Sequence, residues 1–236
     1  MQDDTVKDQL EALGIAVWVG PAASSFDDVY SQITELGDAT GHADEAATVV
    51  ADMKTRIEDD IAAVTASDLS VYHELDPTLY SLTSNTFAGQ VYALFGLSNI
   101  ADGAQEGNDY PQLNPEYIVQ ANPDLIFLAD TKCCSESPET LAAREGWAGL
   151  GAVTSGNVFA LDDDIASRWG PRILDLINTI VAAVNGIKPD PKGPQPVRPQ
   201  RQNSGRGRPH RGTKWRRAGD QRPAYRSARQ PTRFQH

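Results

Sequence analysis

The sequence predicts an α/β fold with parallel sheets joined by one long helix. Three observations carry this reading. Short apolar runs at 69–75, 124–130 and 157–161 alternate with stretches of helical period, as in a parallel sheet covered on both faces. A helical pattern of unusual length runs over 43–64. The charge also divides sharply: residues 1–187 hold 7 Lys+Arg against 30 Asp+Glu, and residues 188–236 hold 14 against 2. The body is therefore a strongly acidic unit large enough for one well-buried core, and the tail is basic.

The elements follow in order. "DTVKDQLEAL" reads as one amphipathic helix. "GIAVWVG" at 14–20 is apolar on both faces, as a central parallel strand should be. Such a strand needs partners on both sides, so the expectation is an N-terminally shortened chain, with other strands of this sheet lying upstream. The alternative is an edge strand of the downstream sheet. Ser25 and Asp28 then form a near capping box, followed by an apolar stripe of Phe26, Val29, Ile33 and Leu36. After the glycine-bracketed turn, the 43–64 helix places Ala46, Val49, Val50, Met53, Ile57, Ile61 and Val64 on one face. At 1.5 Å per residue it reaches roughly 33 Å, which suits a rod between two lobes.

Beyond it the period changes to that of strands. "LSVYHEL", "DLIFLAD" and "NVFAL" are the three buried strands, and helices are expected at 86–96, after Asn114-Pro115, after Ser137-Pro138 and over 171–184. "LSNIADG" reads as a turn. These observations divide the chain into 1–24, a remnant of the first lobe; 25–66, a helical connector; 67–187, an α/β lobe; and 188–236, a tail rich in Pro, Arg, Gln and Gly. The tail shows no apolar period and is expected to be disordered. It reads either as a basic arm for nucleic acid or lipid, or as an out-of-frame extension, the reading favoured by the abrupt change of composition.

Signatures of covalent chemistry are scarce. There is no G-x-G-x-x-G after a strand, no G-x-x-x-x-G-K and no G-x-S-x-G. His42 falls in a turn, and His73 reads as a satisfied histidine within a strand. The only cysteines, Cys133 and Cys134, are adjacent; a vicinal disulfide, two thiols and half of a shared metal site all remain open, with two plain thiols in a loop as the default. The acidity of the body argues against nucleic acid as its partner. No apolar run approaches the length of a membrane span.

In open α/β sheets ligands collect beyond the carboxyl ends of the strands. Glu74 and Asp76, then Asp130, Thr131 and Lys132, then Asp162, Asp163 and Asp164 with Arg168, all fall just past such ends. The triple aspartate has three readings: a solvated loop with an Asp164–Arg168 pair, a hard-cation site, or the polar lip of a ligand pocket. The spacing lacks the interleaved oxygen ligands and the glycine turn that Ca²⁺ requires, so no metal centre or cofactor is expected.

"QLEALGIAVWV", "SFDDVYSQITELGDATGHADEA", "YPQLNPEYIVQANPDLIFLAD", "REGWAGLGAVTSGNVFALDDD" and "SRWGPRILDLI", in that order and spacing, resemble the solute-binding proteins of ABC importers for vitamin B12, ferric siderophores or haem. The likeness covers nearly all of residues 3–187. It implies a two-lobed solute-binding fold, a metal chelate as ligand, no enzymatic step, and a monomer that docks on a membrane permease outside the cytoplasm. It also implies roles for single residues. Tyr110 corresponds to an aromatic that walls the ligand, and Asp164 and Arg168 to the second lobe's polar contacts. Glu116, near a helix N-terminus, corresponds to an acid that docks on permease arginines, and Asp4 falls near the equivalent acid of the first lobe. A cysteine pair that often staples the lobes of vitamin B12 binders is replaced here by Phe95 and Val181. Because a pocket shared by two lobes would be incomplete in this chain, weak ligand binding is expected. A nucleotide-dependent α/β enzyme and a nucleic-acid-associated protein acting through the tail are the alternatives from other classes.

Overall fold

The computed structural model describes residues 4–64, 68–166 and 168–187. All belong to one compact unit. The tail expected from residue 188 lies outside the described residues.

Helix α1 (Asp4–Ala12) opens the described chain, and α2 (Phe26–Thr40) follows an extended stretch. Ser25 and Asp28 close the reciprocal capping box expected of them: the Asp28 N–H donates to Ser25 Oγ, and the Ser25 N–H to the Asp28 carboxylate. Gly41, in the left-handed region at φ 76°, ends α2. The long helix α3 (Ala43–Ala63) is present, and Ala46, Met53 and Ile57 form its buried stripe. It packs on α2 at a crossing so close that a Cβ on Gly37 would strike Ala46.

The second half is the βα alternation read from the sequence. Strand β1 (Ser70–Glu74) leads to α4 (Phe87–Leu94), then β2 (Ser98–Asn99), α5 (Pro115–Ala121) and β3 (Leu125–Leu128). Four helical turns follow or flank the last strand: α6 (Thr131–Cys134), α7 (Pro138–Ala142), α8 (Gly151–Ser155), and α9 (Asp163–Ala166) after β4 (Val158–Ala160). The unit closes with α10 (Ile173–Asn185), which starts two residues later than the pattern after Pro171 implied. All strand pairings are parallel, in the order β2-β1-β3-β4.

Register decides what each face buries. Val71 pairs with Leu125 and His73 with Phe127, and Val71, Leu125 and Phe127 belong to the apolar cluster that takes in Val29 of α2, Met53 and Ile57 of α3, and much of α4 and α10. Tyr72 pairs with Ile126 and Glu74 with Leu128; Tyr72, Ile126 and Leu128 belong to a second cluster with Ile118, Leu141 and Trp147. Two buried faces explain why these strands read as continuous apolar runs. Phe95 and Val181 both pack in the larger cluster.

Two expectations are corrected. Residues 14–20 form no strand: they leave α1 through a turn at Gly14 and have no ladder partner among the described residues, and Leu13, Ile15, Trp18 and Val19 are exposed. Their composition suits a buried strand, but a strand exists only where a neighbour takes up its backbone groups, and the described neighbour here is helix α2, which meets the stretch through side chains: the Trp18 indole N–H donates to Glu35, and Gln32 donates to the Pro21 carbonyl. The other correction is "LSNIADG", which contains the short strand β2 where a turn was expected. Two residues are too few to leave a periodic signal.

Candidate functional site

The rim beyond the carboxyl ends of β1, β3 and β4 is assembled by charge. The three aspartates after β4 take separate duties. Asp163 accepts four hydrogen bonds from the first turn of α6: the Thr131 N–H at 2.9 Å, the Thr131 hydroxyl at 2.8 Å, the Lys132 N–H at 2.9 Å and the Cys133 N–H at 3.0 Å. These satisfy amides that a helix start leaves free, and they clasp the loop after β3 to the loop after β4. Partial burial works against the Asp163 charge, but the Cys133 and Thr131 donors outweigh it and hold its pKa below the ordinary carboxylate value.

Asp162 and Asp164 point to cations instead. Lys132 Nζ lies 2.6 Å from Asp162 and 3.1 Å from Asp164, and Arg168 lies 3.2 Å from Asp164. The Lys132 ammonium pulls the Asp162 pKa down, and the Asp162 and Asp164 carboxylates push the Lys132 pKa up. The side chains of Asp164 and Arg168 keep 50% and 73% of their surface in water, so the pair remains available to an incoming polar group. Among the described residues no group of three or more His, Cys, Asp or Glu is arranged to hold a metal ion.

Tyr110 is exposed, in the segment leading from β2 to α5. That segment runs beside residues 80–83, which follow β1: the Ser81 N–H donates to the Pro111 carbonyl and the Thr83 N–H to that of Asp109. Tyr110 therefore lies on the β1–β2 side of the sheet, while Asp164 and Arg168 follow β4 at the other end of the strand order. Glu116 is exposed in the first turn of α5 and lines a cavity of about 550 Å³ with Pro77, Leu79, Pro115, Arg144, Glu145 and Trp147. Asp4 opens α1, and its side chain lies outside the described residues. Cys133 and Cys134 are bonded to each other, which replaces the expected pair of thiols by a vicinal disulfide at the end of α6.

Behind the rim lies a buried polar cluster that the sequence did not announce. Glu74, fully buried, receives Arg144 through two hydrogen bonds of 2.7 and 2.6 Å, and the Tyr72 hydroxyl donates to it at 3.0 Å. Arg144 also meets Glu136 at 3.0 Å and stacks over the Trp147 ring. Beside them Asp130 is fully buried with neither carboxylate oxygen hydrogen-bonded. Burial first, then the negative charge of Glu74 and Glu136, raises its pKa to about 7. The expectation of a satisfied His73 holds by half. Its Nδ1 meets the Tyr92 hydroxyl at 2.7 Å, while Nε2 is buried without a partner. Burial lowers the His73 pKa to about 4, so the ring is neutral at physiological pH. An acid at a strand end ("HEL") and an arginine beside a tryptophan ("REGW") were the only signals of this cluster, and nothing local links positions 74 and 144.

A parallel sheet between two helical layers, with a polar rim at its carboxyl edge, is the frame into which the comparisons fall. The family model described as "Periplasmic binding protein" matches residues 2–165. The chain belongs to the periplasmic binding protein family. An ABC transporter substrate-binding lipoprotein, YvrC of Bacillus subtilis, is 29% identical over 187 residues, covering 77% of this chain and 57% of that protein. A cobalamin-binding protein of Halobacterium salinarum is 29% identical over 177 residues, covering 73% of this chain and 48% of that one. The chain thus spans about half the length of the curated relatives it matches. Among solved structures, the periplasmic heme-binding protein RhuT from Roseiflexus superposes with a TM-score of 0.67 at 20% identity, covering 79% of this chain and 72% of that one. At that identity the likeness concerns the fold. This periplasmic binding protein shares the α/β frame with that structure, and a shared frame by itself names no ligand.

Proposed function

We propose that this chain is the substrate-binding component of an ABC importer, and that it captures a metal chelate — cobalamin, a ferric siderophore or haem — and delivers it to a membrane permease. The observation that carries the proposal is the exposed Lys132–Asp164–Arg168 ladder at the carboxyl edge of the sheet, in a chain of the periplasmic binding protein family. Capture needs no covalent step. Tyr110 offers an aromatic face to a large flat ligand, and Asp164 and Arg168 offer an acceptor and a donor set to its polar periphery. Cobalamin binding by the Halobacterium relative favours a corrin among the three classes.

Delivery would use the acidic surface. Glu116 has a second carboxylate, Glu145, on the same cavity; among the described residues neither forms an ion pair, and the Arg144 that also lines it is committed to Glu74 and Glu136. A basic side chain of the permease would find apolar walls in Pro77, Leu79 and Pro115 for its stem and two carboxylates for its head. In this reading the protein works outside the cytoplasm, which the match to a substrate-binding lipoprotein supports. Among the described residues no helix is long and apolar enough to cross a membrane.

The test is an amide NMR titration of the full chain with cyanocobalamin, ferrichrome and haemin in parallel. One of the three should shift resonances of Tyr110, Asp164 and Arg168 saturably, and Arg168→Ala should weaken that binding about tenfold. Saturable shifts confined to other surfaces, or none with any of the three at millimolar concentration, would refute the reading.

A further inference from the structure

We infer that Asp130 is a proton-binding site that latches the α6–α9 rim: protonated, it holds the loop after β3 in place, and deprotonated, it lets that loop open. The inference is independent of which ligand the rim takes. It begins from a mismatch of partners. Three groups from two elements act on Asp130, Tyr72 and Glu74 from β1 and Glu136 from the loop after α6, and Arg144 from behind α7 reaches the cluster through Glu74 and Glu136. Of these only Arg144 is cationic. Its guanidinium is already shared by Glu74 and Glu136, and the Tyr72 hydroxyl is committed to Glu74. Lys132, two residues along, is turned outward to Asp162 and Asp164. A charged Asp130 would be a third buried carboxylate with no cation and no donor.

A proton resolves this. It sits on one Asp130 carboxyl oxygen and turns that acceptor into a donor facing the Glu74 carboxylate, while removing one negative charge from the cluster. The pKa of about 7 puts release of the proton within the physiological range. A metal ion is a poorer candidate for the same place, because no described group of carboxylates converges as metal ligands do.

The mechanical consequence follows from what Asp130 supports. Its carbonyl accepts the N–H groups of Cys134 at 3.2 Å and Glu136 at 3.5 Å, so α6 is rooted on it. The far side of α6 rests on Asp163. When Asp130 loses its proton, repulsion acts on Glu74 and Glu136. Glu74 is fixed in the ladder between β1 and β3, whereas Glu136 sits on the short, largely exposed stretch around α6. The stretch that yields is therefore α6 with its vicinal disulfide and Lys132. Release of Lys132 would unmake its pairs with Asp162 and Asp164 and leave Asp164 to Arg168 alone.

The experiment uses the full chain labelled at aspartate carboxyl carbons, with amide hydrogen exchange measured in parallel from pH 5.5 to 8.5. The Asp130 carbon should titrate near neutrality, at least about two units above an ordinary aspartate. Exchange of the Lys132 and Cys133 amides, corrected for base catalysis, should rise about tenfold across the same midpoint. In Asp130→Asn that rise should vanish. An Asp130 midpoint below about pH 5, or the same rise in Asp130→Asn, would overturn the inference. If Asp130→Asn does not fold, the titration of the unsubstituted chain decides alone.

Discussion

Replacing Asp130 by Asn should change how stability depends on pH more than it changes stability itself. Two buried groups are displaced in opposite directions: Asp130 upward from 3.8 to about 7, and His73 downward from 6.5 to about 4. Between about pH 4 and 6.5 the folded chain keeps a proton on Asp130 that the unfolded chain has lost, so rising pH costs stability there. Across the same window the unfolded chain keeps a proton on His73 that the folded chain refuses, so rising pH restores stability. Each slope is about 1.4 kcal/mol per pH unit, and for these two groups they nearly cancel. Asp130→Asn removes the first slope and leaves the second. The variant should then gain on the order of 3 kcal/mol between pH 4 and 6.5 relative to the unsubstituted protein's profile. Near pH 4 and below the two proteins should differ little, since Asn mimics an acid that is then protonated in both the folded and the unfolded chain. At pH 8.5 the variant should be the more stable, by up to about 4 kcal/mol, because the parent then carries an uncompensated buried charge. Urea unfolding followed by tryptophan fluorescence at half-unit pH steps measures this directly. Parallel profiles for the two proteins would refute the reasoning, since they would mean that Asp130 binds no proton in the folded state.

Other substitutions separate the structural members of the rim from the displayed ones. Arg144→Met leaves Glu74 charged and buried, and should cost about 3–5 kcal/mol in urea unfolding. Asp163→Ala removes four hydrogen bonds from the start of α6 and should cost about 1–2 kcal/mol, whereas Asp162→Ala, which breaks an exposed pair and one hydrogen bond from the Asp164 N–H, should cost about 1 kcal/mol or less. Gly37→Ala drives a methyl group into Ala46 where α2 crosses α3, and should lower stability by about 1–3 kcal/mol. Arg168→Ala should leave the unfolding midpoint within about 0.5 kcal/mol of the parent while weakening chelate binding, which tests the ligand role apart from folding.

What the sequence determined by itself is whatever repeats or sits next to its partner. The Ser25–Asp28 box, the Pro-led starts of α5 and α7 and the doubly buried strands β1 and β3 express local periodicity or capping, and each appears where it was read, whereas only Ala46, Met53 and Ile57 of the α3 stripe are buried, Val49 and Ile61 are exposed, and the run at 157–161 is the half-buried edge strand β4. The Asp164–Arg168 pair was legible for the same reason, being four residues apart. Tertiary structure alone decided the rest. Residues 14–20 have the composition of a strand, but pairing is a property of two segments, and one segment cannot supply it. The division of labour among Asp162, Asp163 and Asp164 depends on α6 arriving from a loop some thirty residues earlier. The buried cluster of Glu74, Asp130, Glu136 and Arg144 spans seventy positions of chain. Its unusual proton affinity arises from burial and from the count of charges that surround it, quantities that exist only after the layers have closed.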